Sequence, residues 1–420
     1  MLSEVRFNKY MPAVLLYFFF NGFLLPLGLL YTTLLTPLFL LWLFKFRSFR
    51  HLIWFFVFFI PFMVVQLHNG VDNASYTKSS FLLFSVYVFS LAFYQFLQNC
   101  QSLRRIYSQI LTFNAVMVVL AIFALAIPLT RNIFWYANEI TSGVHTLRLR
   151  LLTYEPSYYA TLLMPLMLYY YLKLIVLRLP DPVTTFLLIT IPFLLAFSFG
   201  GILGLVLALL LTLLYGYRRF FNKMATLYLL IGGVVLITGL LGALILFPNN
   251  VIVIRFTNVF NGTDTSFRGR TFESFSLGWQ IAQVKSIWFG CGPGQAKEVG
   301  LAIFRKFYNY PRATKEMVVI PNSVADTLAA LGILGVGLRL MLETVFFFRT
   351  RVYSNYYRLA LFLFIFIYQF TGSFMTNIAE YVIWIMAFQK AIFPEFDKTR
   401  FALRLPVPRV GFSNTIPKPS

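Results

Sequence analysis

The sequence is poor in charged residues and in cysteine. Asp, Glu, Lys and Arg make up 12% of its 420 residues, against about 25% in a soluble globular domain. The two cysteines, Cys100 and Cys291, are too few for a disulfide framework or a zinc site. By contrast, 59% of the residues are hydrophobic and the mean hydropathy is +0.76. These values exclude an ordinary soluble domain and predict a polytopic membrane protein.

The first apolar run extends from Met11 to Phe44 without the small-residue cleavage site of a signal peptide. We therefore expect the first span to remain as an anchor. Spans of roughly 16–25 apolar residues are interpreted as helices, because an open sheet cannot satisfy its backbone in lipid. Runs that are too long for one span are divided near Pro26 and Ser198. The predicted fold is an all-α membrane domain over 1–393 with about twelve transmembrane helices: 11–27, 29–44, 52–67, 80–98, 106–129, 157–177, 183–198, 200–216, 224–247, 322–348, 358–376 and 379–393.

Basic residues recur at every second connection between these spans. The positive-inside rule is satisfied at each step if both termini are cytoplasmic. The basic tail 394–420 then lies in the cytoplasm. The other cytoplasmic basic residues are Arg6, Lys9, Lys45, Arg47, Arg50, Arg104, Arg105, Arg178, Arg218, Arg219, Lys223, Arg349, Arg351 and Arg358.

The same topology places three segments outside, at 68–79, 130–156 and 248–321, the last being one large external loop. The two longer segments are basic, and long loops translocate regardless of charge. We interpret this charge as a field for an anionic substrate held at the outer membrane surface. Contact with acidic lipid headgroups is the alternative. Nucleic acid is not expected as a partner on this face.

The first candidate site is the segment 147–157, which reads LRLRLLTYEPS. In an extended chain Arg148 and Arg150 point to one side and form a two-guanidinium fork suited to phosphate oxygens. Pro156 suits the first turn of a helix, which places Glu155 at the membrane boundary. Glu155 is interpreted either as a catalytic or substrate-orienting carboxylate or as the partner of an arginine in a structural salt bridge.

The second candidate site repeats this spacing in Arg268 and Arg270, at the start of the large loop. The residues that follow recur at helical spacing and predict an amphipathic helix on the membrane surface. Its aromatic stripe is interpreted as an interfacial anchor rather than a sugar platform. The residues of this pattern are Phe272, Phe275, Trp279, Ala282 and Gln283.

The third candidate site is the entry to the tenth span. Asn322 and Asp326 lie on one helical face at i, i+4 spacing, so we expect both to face a shared outer cavity. An acid one turn inside a span is a functional candidate, and a cap on a wet helix end is the alternative. Near the cytoplasmic end of the same span, Arg339 and Glu343 are expected to form a snorkelled pair.

Four segments in this order resemble the Wzy-type O-antigen and exopolysaccharide polymerases. They are Arg148 to Ser157, Arg270 to Ala282, the G-x-G-P-G run from Gly290 to Gly294, and the N-x-x-x-D span from Asn322 to Gly335. Each motif alone is weak, and together they cover about a quarter of the chain.

This resemblance implies an inverting, metal-independent glycosyltransferase with a GT-C-like membrane fold and no cofactor. Such enzymes work in the bacterial cytoplasmic (inner) membrane, in one pathway with a flippase and a chain-length regulator. They move a growing glycan from undecaprenyl pyrophosphate onto a lipid-linked repeat unit. The site residues that follow are Arg148, Arg150, Arg268 and Arg270 for the pyrophosphate, Glu155 and Asp326 for catalysis, and Asn322 for the substrate cavity.

The sequence also departs from related proteins. The paired R-x10-G motifs of some polymerases are absent, so donor and acceptor arginines are not distinguished. The related O-antigen ligases use a histidine in the large external loop, where none of His51, His68 and His145 lies. A lipid-linked oligosaccharide flippase would more often show internal repeats and unwound spans, and the two halves of this chain share no repeat.

Overall fold

A computed structural model describes residues 11–26, 29–46, 48–100, 102–141, 144–176, 181–216, 254, 257–259 and 261–399. The predicted span 224–247, most of 248–260 and the tail from residue 400 lie outside the described residues. The same holds for these basic residues of the predicted topology: Arg6, Lys9, Arg47, Arg178, Arg218, Arg219 and Lys223.

Helices dominate the described chain. Before the large loop the elements are α1 Met11–Leu15, extended by a π-helical turn Leu16–Phe20, then α2 Tyr31–Leu34, α3 Thr36–Lys45, α4 Leu52–His68, α5 Asn73–Asn99, α6 Leu103–Phe123, α7 Pro128–Phe134, β1 Trp135–Thr141, β2 Val144–Leu149, α8 Pro156–Val176, α9 Pro182–Ala196 and α10 Phe199–Tyr215. In and after that loop they are α11 Thr265–Arg270, α12 Phe272–Lys285, α13 Ala296–Val299, α14 Leu301–Phe307, α15 Ser323–Arg349, α16 Tyr356–Tyr368 and α17 Ile378–Phe388.

Among the described residues, four helical segments are long and apolar enough to cross a membrane by length and composition alone: Phe49–His68, Asn73–Asn99, Leu103–Ala126 and Ser323–Arg349, the last of which is interrupted at Gly332. Several shorter apolar helices accompany them. A helical membrane protein is confirmed at this level, whereas twelve spans and their orientation stay predictions. The expected division near Ser198 lies close to the end of α9 at Ala196, whereas the first helix already ends at Phe20, six residues before Pro26.

A β-hairpin corrects the expectation of an all-α fold. Strands β1 and β2 pair antiparallel within the segment expected to be external, with Trp135 opposite Leu149. Both of these side chains are buried, whereas Leu147 is 42% exposed. Leu147 and Leu149 lie on the same face of β2, because side chains alternate with a period of two, so burial on this face is reached at the end of the strand. Residues 150–155 then connect the hairpin to α8.

Helix α8 lies at the centre of the core. Its sequence is apolar on every face, which is typical of a fully buried helix. Tyr159, Met164, Leu168 and Leu172 are all completely inaccessible, and α8 packs against α9, α10, α16 and α17. The N-terminus of α8 is therefore held rigidly by its neighbours, as a functional residue at that position requires.

Helix α15 is broken at Gly332, where φ is 66° and ψ is −167°. The Arg339 Nη1 atom donates to Ser323 Oγ at 2.7 Å. In one straight helix these residues would be about 24 Å apart along the axis. The two halves of α15 thus fold back on each other, which corrects the prediction of one continuous span over 322–348.

The glycine-rich loop after α12 supports this break. Four backbone hydrogen bonds satisfy groups freed there: Cys291 N–H to Ala329 O (2.9 Å), Gly292 N–H to Ala330 O (3.0 Å), Ile333 N–H to Ile287 O (3.0 Å) and Leu334 N–H to Trp288 O (3.1 Å). The buried Gln66 amide of α4 adds a bond of 2.9 Å to Ala330 O. A Cβ atom at Gly332 would lie 2.4 Å from the Trp288 backbone, so the close approach requires glycine.

Candidate functional site

A cavity opens where α8 and α17 begin, between the end of α11 and the loop that follows α16. We call it the charged cavity, and its empty space measures about 350 Å³ including its mouth. Glu155 and Arg270 line it together, although 115 positions separate them in the sequence. Two helix N-termini point towards the same space, and their backbone dipoles favour an anion there.

Neither charged group of the cavity is neutralised by a nearby side chain. Within the part of the chain that the structure describes, the Glu155 carboxylate and the Arg270 guanidinium have no hydrogen bond and no ion pair, not even with each other. Glu155 directly precedes Pro156, the first residue of α8. A carboxylate and a guanidinium that line one cavity without pairing with each other are available to a polar substrate.

Asn322 holds Arg270 in place from behind the cavity wall. Its Nδ2 donates to the carbonyl of Arg270 at 2.8 Å and to that of Phe370 at 2.6 Å. Its Oδ1 accepts from Ala325 N–H at 2.9 Å and caps α15. Asn322 is completely buried. The structure therefore places it in a positioning role rather than on the surface of the substrate cavity, where we expected it.

Asp326 supports the wall of the charged cavity without lining it. Its Oδ2 accepts from the backbone N–H of Met375 at 3.0 Å, which fixes the loop between α16 and α17. That loop contributes Ser373 and Phe374 to the cavity, and Asp326 is not among the lining residues. Neither Asn322 nor Asp326 lines the charged cavity, and a shared outer cavity for the two stays a prediction.

The first arginine pair is bound by backbone carbonyls. The buried Arg148 donates from Nε to Ala196 O at 3.1 Å and from Nη2 to Ser157 Oγ at 3.3 Å. Arg150 donates from Nη2 to Asn132 O at 2.7 Å. Neither guanidinium lines the charged cavity. The two side chains bond to different neighbours, at the end of β2 and just after it, and do not form one fork.

In the second pair, Arg268 forms an ion pair of 2.8 Å with Glu273, and its side chain is 53% exposed. The hydroxyl of Tyr308 donates to the same carboxylate at 3.1 Å. Burial, followed by the charge of Glu273, raises the pKa of Tyr308, so this hydroxyl keeps its proton at neutral pH. Arg268 thus belongs to the outer surface of the loop, and of the four predicted arginines the charged cavity contains Arg270.

The cavity has aromatic walls that our sequence reasoning did not identify. Tyr154 and Tyr158 line it with ring centroids 4.6 Å apart, and Tyr368 lies in the wall formed by α16. The Tyr158 hydroxyl accepts from Asn21 Nδ2 at 3.2 Å. The i, i+4 spacing of Tyr154 and Tyr158 beside Glu155 was the available signal.

A buried ionic cluster lies behind the cavity, in which the expected pair of Arg339 and Glu343 is present but is buried rather than snorkelled. Arg339 pairs with Glu343 at 3.1 Å and also with Glu380. The Arg339 side chain is 14% exposed, because the break in α15 turns it towards the protein interior. Gln369 donates to Glu343 at 2.8 Å, and Ser373 of the cavity wall donates to Glu380 at 2.7 Å.

A second, apolar cavity lies deeper along the same helices. We call it the apolar cavity, and its empty space, including open solvent, is about 1040 Å³. Its lining includes Leu162 of α8 and Val382 of α17, each one to two turns beyond the residues that line the charged cavity. The remaining walls come mainly from α1 with its π-helical turn, α2, α3, α5 and α6.

The predicted helix after Arg270 is present as α12. Its inner face packs on α15, where Gly278 allows close approach to Ala325 O. Phe272 is 80% and Trp279 is 41% exposed on the outer face, whereas Ala282 is buried. An interfacial role for the two exposed aromatic residues stays a prediction.

Among the described residues, no group of three or more His, Cys, Asp and Glu side chains could hold a metal ion. Burial raises the pKa of the Cys291 thiol to about 12, so it is protonated at neutral pH and not poised as a nucleophile. Comparison of the sequence with models of protein families and with curated proteins gives no match.

Proposed function

We propose that this chain is a polysaccharide polymerase that transfers a growing glycan from undecaprenyl pyrophosphate to a lipid-linked repeat unit. The observation that carries the proposal is that Glu155 and Arg270 line one cavity without a hydrogen-bond or ion-pair partner among the described side chains. The motif resemblance to Wzy-type polymerases supplies the reaction class, and the cavity chemistry agrees with it.

In this reaction the acceptor hydroxyl oxygen forms a new bond to the anomeric carbon, and the bond from that carbon to the pyrophosphate breaks. Glu155 takes the hydroxyl proton as a general base. Arg270 stabilises the charge that develops on the departing pyrophosphate, for which a guanidinium has suitable geometry. Inversion at the anomeric carbon requires the base and the leaving group to lie on opposite sides of the sugar.

The position of the two cavities supports a substrate with a lipid carrier. A pyrophosphate bound at Arg270 would lie at the N-termini of α8 and α17. The apolar cavity lies further along both helices and could bury isoprenoid surface. We further propose that the enzyme works at the outer face of the bacterial cytoplasmic membrane with both termini in the cytoplasm, next to a flippase and a chain-length regulator.

A transporter is the second candidate, because the break in α15 is a feature of transporter spans. At such breaks, free backbone groups coordinate the substrate or a coupling ion. Here the carbonyls of Ala329 and Ala330 and the N–H groups of Ile333 and Leu334 bond to the glycine-rich loop. These groups are therefore engaged, which favours an enzyme over a flippase. The ligase alternative is weakened because no histidine lies in the large loop.

The test is the surface polysaccharide of the host after deletion of this gene, with the wild-type chain and Glu155→Gln as complements. Loss of a polymerase leaves single repeat units on the surface, and only the wild-type chain restores long chains. Unattached polymer would identify a ligase, and intermediates confined to the cytoplasmic face would identify a flippase. Either of these outcomes overturns the proposal.

A further inference from the structure

Ser373 stands out in the wall of the charged cavity because of its backbone. Its φ is 69°, in the left-handed region that is unfavourable for a non-glycine residue. Its side chain is nevertheless buried, and Oγ donates to Glu380 Oε2 at 2.7 Å. Asn377 Nδ2 donates to the same Oγ at 3.0 Å. Such strain is retained where the surroundings determine the conformation, commonly at binding sites.

The positions of the hydrogens in this pair follow from its partners. Glu380 is the ion-pair partner of Arg339, and an ionised carboxylate can only accept, so the Ser373 hydroxyl must donate to it. Asn377 Oδ1 accepts from Ala379 N–H at 3.0 Å, which fixes the orientation of the amide. Ser373 therefore keeps one free lone pair, and Asn377 keeps one N–H.

Both residues line the charged cavity together with Glu155 and Arg270. The ion pair between Arg339 and Glu380 thus orients the Ser373 hydroxyl. The free lone pair of Ser373 Oγ and the free N–H of Asn377 then lie next to each other on the cavity wall. A sugar hydroxyl matches this pair, because it can donate to Ser373 Oγ while it accepts from Asn377 Nδ2. The rings of Tyr154 and Tyr158 line the same cavity and add apolar surface to its wall.

We infer that Ser373 and Asn377 form a hydroxyl-recognition subsite for a sugar of the lipid-linked substrate, with Glu380 as the residue that positions them. The inference rests on the proposed function and adds the part of the substrate that this wall recognises. A hydroxyl bound here joins a hydrogen-bonded chain that ends at Arg339, which strengthens each bond in it.

Binding of two lipids to the full-length chain in nanodiscs tests this subsite. One lipid is undecaprenyl pyrophosphate without sugar, and the other is the lipid-linked repeat unit extracted from the deletion strain. Ser373→Gly removes the hydroxyl and relieves the backbone strain, and Asn377→Ser removes the amide while keeping a favoured cap for α17. Ser90→Ala is the matched control, because that hydroxyl donates to Val86 O of its own helix.

We expect each of the two cavity variants to weaken binding of the repeat unit about two- to tenfold, the effect of losing one neutral hydrogen bond. Binding of the sugar-free lipid should stay within about twofold, since pyrophosphate binding at Arg270 does not use these groups. Equal weakening for both lipids, or unchanged binding of both, overturns the subsite. If wild-type chain binds neither lipid, the proposed function itself fails.

Discussion

The chain contains the spacing R-x-R twice, and the structure uses the two copies differently. Arg148 and Arg150 both donate to backbone carbonyls. In the second copy, Arg268 pairs with Glu273 on the surface, while Arg270 faces the charged cavity without a partner among the described side chains. The R-x-R motif therefore places two guanidinium groups close together in the sequence. Whether a guanidinium is available to a ligand depends on whether carbonyl or carboxylate acceptors lie next to it in the fold.

This difference follows from what surrounds each pair. Arg148 lies beside the end of α9, where the Ala196 carbonyl near the helix C-terminus lacks an intrahelical partner. A buried guanidinium and an orphan carbonyl satisfy each other, since leaving either unpaired costs free energy. Arg270 instead ends the short helix α11, and its own carbonyl is held by Asn322. Its side chain is thereby directed into open space.

The largest expected effect concerns Glu155. This acid follows the first arginine pair in the sequence and lines the charged cavity together with Arg270. Glu155→Gln keeps the shape of the side chain and removes its basicity. Turnover should fall by about 10² to 10⁴, the usual contribution of a general base, with lipid binding nearly intact. The measurement is polymerisation of purified lipid-linked repeats, with the amount of folded enzyme held equal.

Asp326→Asn is the matched control for Glu155→Gln. Its carboxylate accepts one backbone bond from Met375, which an amide oxygen can also accept, so activity should change little. Near-normal turnover of Glu155→Gln together with a collapse for Asp326→Asn would reverse the two roles and identify Asp326 as the base.

The next effect compares the two members of the second pair directly. Arg270→Lys replaces a planar fork by a point charge and should lower polymer formation about 10- to 100-fold, the loss of one to two charge-assisted bonds. Arg268→Lys should lower it at most about fivefold, because an exposed ion pair contributes little. Both variants should accumulate to wild-type levels, as judged by immunoblotting of membranes.

Equal loss for Arg268→Lys and Arg270→Lys would show that the two guanidiniums act together, as the motif alone suggested. Full activity of all four variants, Arg148→Lys, Arg150→Lys, Arg268→Lys and Arg270→Lys, would contradict a bound pyrophosphate. It would mean that the basic residues of the external segments contact acidic lipid headgroups instead.

The helical class of the fold could be predicted from composition, because lipid permits few alternatives to helices. The break in α15 could not be predicted from the pattern of apolar residues, since Gly332 is tolerated in a helix and the loop that satisfies the break lies 40 residues earlier. Arg358 illustrates the same limit. The positive-inside pattern treats it as a loop charge, whereas it is buried within α16 and donates to Ala387 O at 2.9 Å.

The candidate site could be predicted only in part, because local spacing identifies suitable residue types but not their tertiary partners. Local spacing singled out Glu155 and Arg270 as chemically suited, and it also singled out Asn322, which the structure uses as a clamp. Ser373 and Asn377 were missed because an uncharged Ser and Asn in a short loop carry no periodic signal. Their importance arises from tertiary partners, above all Glu380, that no local pattern reveals.

The smallest expected effect on catalysis concerns Arg148. Arg148→Lys replaces the two separate donors Nε and Nη2, which bond Ala196 O and Ser157 Oγ, by one ammonium without their planar geometry, so the variant should lose about 1–2 kcal/mol of stability. Its denaturation temperature in detergent should fall by several degrees while turnover per folded molecule stays within about twofold. Arg150→Lys is the comparison variant, because the Arg150 guanidinium is less buried and should matter less for stability. A large loss of turnover in stable Arg148→Lys protein would instead give the first arginine pair a direct part in pyrophosphate binding, and the contrast between the two pairs would disappear.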